Sequence, residues 1–119
     1  MPSSLIFEGE EPKPDNKVDK KELYAMLRAK KKATTSAVNI DDFKKIMRPH
    51  LEEGKDILYL GFSSGLSSTY HSGKLAAEDL CEEFPERKIY TVDTLCASLG
   101  QGLLVYHAAK MRQNGATIE

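Results

Sequence analysis

Apolar residues along the chain fall into blocks of two periods. The sharpest change lies near the middle. Ile57-Leu58-Tyr59-Leu60-Gly61-Phe62 is almost unbroken in apolarity, and it gives way to the small, hydroxyl-rich run Ser63-Ser64-Gly65-Leu66-Ser67-Ser68-Thr69. From Leu66 onward, Tyr70, Ala77, Leu80, Cys81 and Phe84 recur at helical spacing until Pro85. The pattern predicts a strand over 57–62 feeding a helix over about 66–84. An apolar run of this length suggests a strand covered on both faces, as in a parallel sheet flanked by helices.

The same reading places the other elements. Leu5-Ile6-Phe7 predicts a short edge strand entering an exposed acidic loop, with Pro12 and Pro14 excluding a central strand. Asp19 and Glu22 have capping-box spacing ahead of Leu23, Met26 and Leu27, predicting a helix over about 20–29. Ala33 to Asn39 reads as a hydroxyl-rich connection. Asn39 then caps a helix with Phe43, Ile46, Met47 and Leu51 on its apolar face, Pro49 kinking or shortening it and Gly54 ending it. Lys88 to Val92 predicts another strand, and Leu99, Leu103, Leu104, Ala108 and Met111 a helix from about Ser98 to Arg112, closed by Asn114-Gly115. Ala116 to Glu119 reads as the start of a further element. The order β-α-α-β-α-β-α implies an α/β layered fold with a mostly parallel sheet flanked by helices. Three strands make a thin sheet, which suggests part of a larger protein.

A strand end followed by a helix start is a place for chemistry. The first backbone N–H groups of a helix have no partner inside it, and its dipole puts partial positive charge there. An anion is therefore held well at such a junction. Ser63, Ser64, Ser67 and Thr69 crowd this one, and Thr35 and Ser36 occupy a second hydroxyl-rich segment ahead of a helix. If both lie at the carboxyl edge of one sheet, their hydroxyls converge on one head group. With no Lys or Arg in either segment and no GxxxxGK[ST], a P-loop nucleotide site is absent, and neutral donors suit a singly charged or protonated acid. Two other readings stay open on local grounds. The serines cap helices and fill turns. Alternatively, Gly61-Phe62-Ser63-Ser64-Gly65 is a nucleophile elbow, with Asp93 and His107 following in triad order. Against the hydrolase stand His107, placed mid-helix, and the shortness of the chain.

Composition narrows the classes. The 119 residues suit one small domain, with 40% hydrophobic and 29% charged residues. A net charge of −1 gives no basic field for nucleic acid, and the run Lys30-Lys31-Lys32 reads as a solvated helix end. No apolar stretch reaches the roughly 20 residues that span a bilayer, so stable membrane insertion is not expected. Cys81 and Cys96 form no CxxC or Cys/His cluster, so no metal or other cofactor is expected. With no secretory signal in view they read as reduced thiols of a cytoplasmic protein.

Three segments, in order and suitably spaced, resemble the DegV family of bacterial fatty-acid-binding proteins. They are Thr34-Thr35-Ser36-Ala37-Val38-Asn39, Phe62-Ser63-Ser64-Gly65-Leu66-Ser67-Ser68-Thr69-Tyr70-His71-Ser72, and Val92-Asp93-Thr94-Leu95-Cys96-Ala97-Ser98-Leu99-Gly100-Gln101-Gly102. Ser68 stands where the family usually has glycine. The resemblance implies a non-enzymatic carrier of one long-chain fatty acid, its carboxyl group held by Thr35 and Ser67 with Ser63, Ser64 and Ser36 as further contacts. It also implies presentation of that carboxyl group to an ATP-dependent fatty acid kinase subunit that serves phospholipid synthesis. Residues 1–119 would then be a partial DegV-like N-terminal domain, lacking the family's first strand and its C-terminal lipid-binding domain. A ligand-free interaction domain is the third class.

Overall fold

A computed structural model describes residues 3–119. The chain divides into two compact units, Met1–Val38 and Asn39–Glu119.

The first unit is a small antiparallel sheet with one helix. Strand β1 (Ser4–Phe7) lies between β2 (Lys13–Pro14) and β3 (Ala33–Ser36). Leu5 pairs with Lys13 on one side and Thr35 on the other. The expected edge strand is thus the central one. Its four residues contain no proline; Pro14 sits on β2, at the edge, where a missing N–H costs no ladder bond. The expected connection over Ala33–Asn39 begins instead as strand β3, because the β-branched pair Thr34-Thr35 suits extended backbone and finds open partners in Ile6 and Leu5. Helix α1 (Lys20–Arg28) starts where Asp19 Oδ1 accepts from the N–H groups of Lys21 (2.8 Å) and Glu22 (3.0 Å).

The second unit is α/β. Helix α2 (Ile40–Glu52) is capped by Asn39, whose side chain accepts from Asp42 N at 2.9 Å. It runs through Pro49 rather than stopping there, and ends at Gly54 as expected. Strands β4 (Ile57–Gly61) and β5 (Ile89–Asp93) pair in parallel from Ile57↔Ile89 to Gly61↔Asp93. Helix α3 (Thr69–Glu83) connects them, and α4 (Ser98–Gln113) follows. The core lies between α2 and α3: Phe43, Met47 and Leu51 meet Ala76, Ala77 and Leu80, all buried. Two ion pairs bridge its rim, Lys44 to Asp79 (2.5 Å) and Arg48 bidentate to Glu83 (2.5 and 2.9 Å). Exposed pairs of this kind add little stability.

The α/β class and the parallel pairing are those read from the sequence; the separate antiparallel sheet was not. Nor is β4 covered on both faces: Leu58, with Tyr90 and Val92 of β5, is exposed. Helix α4 buries no residue, and Leu99 is 87% exposed. No helix among the described residues is long and apolar enough to cross a membrane.

Candidate functional site

The parallel pair brings the ends of β4 and β5 side by side, so their following loops share one edge of the sheet. Four hydrogen bonds join them. Thr94 donates to the Gly61 carbonyl twice, from N (3.2 Å) and from Oγ1 (2.7 Å). Ser63 N donates to the Cys96 carbonyl (3.0 Å), and Ser64 N to Asp93 Oδ1 (3.2 Å). The same Asp93 oxygen accepts from Leu95 N (3.1 Å). Leu95 lies in the left-handed region at φ 51° with its side chain 73% exposed. Such a backbone is unfavourable for a large L residue and persists where its surroundings over-determine it. Hydrogen bonding from Ser64, then from the Leu95 N–H, holds the Asp93 carboxyl below its ordinary range, with His71 adding a smaller Coulombic pull.

The serine loop is a tight turn. The Ser63 carbonyl accepts from Leu66 N (3.1 Å) and Ser67 N (3.2 Å), and Ser63 Oγ accepts from Gly65 N (3.3 Å). This turn delays the helix. It begins at Thr69, not Leu66, and Leu66 is left exposed. The apolar period carries on through Leu66, but the Leu66 and Ser67 carbonyls take no N–H from Tyr70 or His71, and the first helical bond is Ser72 N to the Ser68 carbonyl (3.1 Å). Ser67 Oγ then accepts from Thr69 N (3.2 Å) and lies 2.9 Å from Thr69 Oγ1. Tyr70 N and His71 N take no protein acceptor among the described residues. The loop therefore presents an uncovered helix start, one half-buried hydroxyl pair and no donating Lys or Arg.

Aromatic packing supports that helix start from inside. Tyr59 of β4 stands edge-on to Phe43 (5.2 Å) and stacks on Tyr70 (6.1 Å). Only glycine fits beside it: a Cβ on Gly73 would lie 2.5 Å from the Tyr59 ring, and one on Gly61 2.5 Å from that of Tyr70. Burial, with the neighbouring Tyr70 and Asp93, pushes the Tyr59 hydroxyl up to about 12. It stays protonated and donates to the Thr69 carbonyl (3.5 Å).

The residues predicted from sequence fall into two groups. Ser63, Ser64 and Ser67 are in this loop. Ser63 is 5% exposed with its hydroxyl turned to Gly65, while Ser64 and Ser67 are half-buried. Thr35 and Ser36 are exposed residues of β3 in the first unit, opposite Leu5 and Ser4, so they are strand rather than turn residues. For the elbow reading, no histidine hydrogen-bonds Ser63 among the described residues, and the His107 ring lies against Tyr106 on α4. Cys81 and Cys96 are free thiols, and no group of three or more metal-ligating side chains gathers among the described residues. Sequence reasoning gave no role to Thr94, to the Cys96 carbonyl, or to Gln101, whose Nε2 donates to the Leu60 carbonyl (3.1 Å), although all three lie in the third family-like segment. Of these, only a hydroxyl residue directly after a strand-end aspartate left any signal.

Comparison with known proteins places this arrangement. The DegV family model matches residues 1–119. A DegV domain-containing protein of Clostridium perfringens is 44% identical over 105 residues, which cover 88% of this chain and 36% of that protein. A protein of Thermotoga maritima named as a fatty acid-binding protein is 34% identical across the whole chain and 41% of its own length. Among solved structures, a DegV family protein of Thermus thermophilus described for its fatty acid binding superposes with a TM-score of 0.83 at 33% identity. The match covers 98% of this chain and 40% of that one. A stearic-acid-binding protein of Eubacterium ventriosum shares the fold at a TM-score of 0.84 and 23% identity. The chain thus spans about two-fifths of the length of these relatives, and with the family matched from end to end, it belongs to the DegV family.

Proposed function

We propose that this chain contributes the carboxyl-holding part of a cytoplasmic fatty-acid-binding protein. One observation carries the reading: relatives 33–34% identical across nearly all of it are described as binding fatty acids. The serine loop supports it chemically. A carboxylate only accepts hydrogen bonds, and the loop offers donors: the Ser67 hydroxyl and the unpartnered Tyr70 and His71 N–H groups at the positive end of α3. Ser67 is the direct contact. Ser64 supports it by tying the loop to Asp93, and Ser63 by closing the turn.

Hydrogen bonds to a charged acceptor contribute roughly 1.5–3 kcal/mol each, and each buried CH₂ about 0.8 kcal/mol. A long acyl chain therefore supplies most of the affinity, and the hydroxyls decide which end sits at the loop. A carboxylate held this way is poised for transfer to an ATP-dependent kinase subunit, which we propose as the partner. The free thiols Cys81 and Cys96 suit a reducing compartment.

Native mass spectrometry of the protein purified from cells is expected to show one long-chain fatty acid per chain. Ser67→Ala is expected to weaken stearate binding by about tenfold or more, the loss of one charge-assisted hydrogen bond, with the fold intact by circular dichroism. No lipid adduct and no binding of added stearate would make this a ligand-free interaction domain instead.

A further inference from the structure

Ser67 is not an isolated hydroxyl. Its Oγ accepts from Thr69 N at 3.2 Å, and that bond has only one polarity, since an N–H can only donate. The same Oγ lies 2.9 Å from Thr69 Oγ1. A serine hydroxyl has one hydrogen and two acceptor lone pairs. When the Thr69 hydroxyl donates, both lone pairs of Ser67 are filled from one residue. The only capacity left on Ser67 is its own hydrogen, and that hydrogen points away from Thr69. The reverse polarity spends the Ser67 hydrogen on Thr69 and leaves a lone pair of Ser67 for a ligand. An acceptor-only ligand selects the first arrangement; a ligand that brings a hydroxyl can use the second.

Thr69 is held where this requires it. Its carbonyl accepts from the Tyr59 hydroxyl, and Tyr59 is wedged against Gly61 and Gly73 where no side chain fits. Ser67 N is in turn anchored to the Ser63 carbonyl at 3.2 Å. Both partners of the hydroxyl pair are therefore fixed by backbone bonds, and only the hydrogen between them is free to choose.

We infer that Thr69 is a positioning and specificity residue for the fatty-acid site: its N–H, and its hydroxyl in the polarity that a carboxylate selects, donate to Ser67 Oγ and turn the Ser67 hydrogen toward the ligand, which favours an ionised carboxylate over a fatty alcohol of the same length. This role rests on the fatty-acid reading of the serine loop. It differs from capping, which needs only the Thr69 N–H and would survive loss of the Thr69 hydroxyl.

The test compares Thr69→Val, which keeps the shape and the N–H but removes Oγ1, with Thr69→Ser, which keeps the hydroxyl. Binding of stearate and of stearyl alcohol to the full chain is measured for each, with thermal melts as the control for folding. For Thr69→Val, stearate is expected to bind about five- to tenfold more weakly, while the alcohol is unchanged or slightly tighter, so that the acid-to-alcohol ratio falls. Thr69→Ser is expected to keep the wild-type ratio. An unchanged ratio in Thr69→Val overturns the role of Thr69 and leaves the carboxyl site standing. Equal weakening of both ligands does the same, because it marks a purely structural effect. Failure of the unsubstituted chain to bind stearate would remove the fatty-acid reading itself, and this role with it.

Discussion

At Gly73 a single added carbon decides whether the helix start keeps its place. A Cβ there would meet the Tyr59 ring at 2.5 Å and Phe43 at 3.0 Å. Tyr59 cannot retreat, because Phe43 and Tyr70 pack against it. Alanine gains up to about 1 kcal/mol of helix propensity but overpacks the core, so Gly73→Ala is expected to destabilise the chain by about 1–3 kcal/mol in urea titrations. Asp93 makes a different residue-scale prediction. Its carboxyl group is held below the ordinary range in the folded state, so ionisation stabilises the fold. That contribution is present above the unfolded-state value and lost as pH falls through the depressed one, below about pH 4. Asp93→Asn keeps the acceptor for Ser64 N and Leu95 N but cannot ionise. Its urea midpoint is expected to fall less steeply than wild type between about pH 5 and about pH 3. Equal slopes would contradict this.

At the scale of elements, three helices end in one way. After α1, α2 and α4 the chain turns through a left-handed residue: Lys30 (φ 62°), Gly54 (φ 78°) and Gly115 (φ 88°). Each end closes with a 6→1 and a 5→2 hydrogen bond: Lys31 to Met26 and Lys30 to Leu27, Lys55 to His50 and Gly54 to Leu51, Ala116 to Met111 and Gly115 to Arg112. Two of the three use glycine, which adopts this conformation without penalty. Gly54→Ala is therefore expected to lower stability by roughly 1–2 kcal/mol, and Lys30→Gly to raise it by up to about 1 kcal/mol, read as opposite shifts in thermal unfolding. These ends were legible in the sequence at Gly54 and Gly115 and illegible at Lys30, where nothing local marks a left-handed residue. Caps at Asp19 and Asn39 were equally plain. Strand β3 was not, because Ala33–Ser36 has no apolar alternation and becomes a strand only through its pairing with β1. Leu66 misled for the opposite reason: its apolarity fits the helix, but its carbonyl takes no N–H from Tyr70, and helical bonding starts only at the Ser68 carbonyl.

Over the whole molecule, stability and surface are unevenly shared. The second unit draws its core from α2 and α3, where Leu80 is fully buried, while α4 buries nothing. Leu80→Ala is expected to cost about 2–5 kcal/mol, whereas Leu103→Lys on α4 should stay within about 0.5 kcal/mol of wild type in the same denaturation assay. The apolar run of β4 showed in the sequence that the strand is sheet-forming, but it carried no information on which face would go uncovered. The serines of the candidate site were legible as a motif. What binds their loop to its neighbour was not, because the Cys96 and Gly61 carbonyls leave no mark on side-chain pattern.

That binding between the loops has a kinetic consequence. With Ser63 N on the Cys96 carbonyl, Ser64 N on Asp93 and Thr94 on the Gly61 carbonyl, neither loop can swing open without releasing the other. The two segments are therefore expected to open together, and hydrogen exchange of the Ser63, Ser64 and Thr94 amides is expected at a shared rate; clearly separate rates would contradict this. Loops already tied together have little left to order, so under the proposed function a carboxyl group would meet a preformed site and lose little affinity to loop ordering.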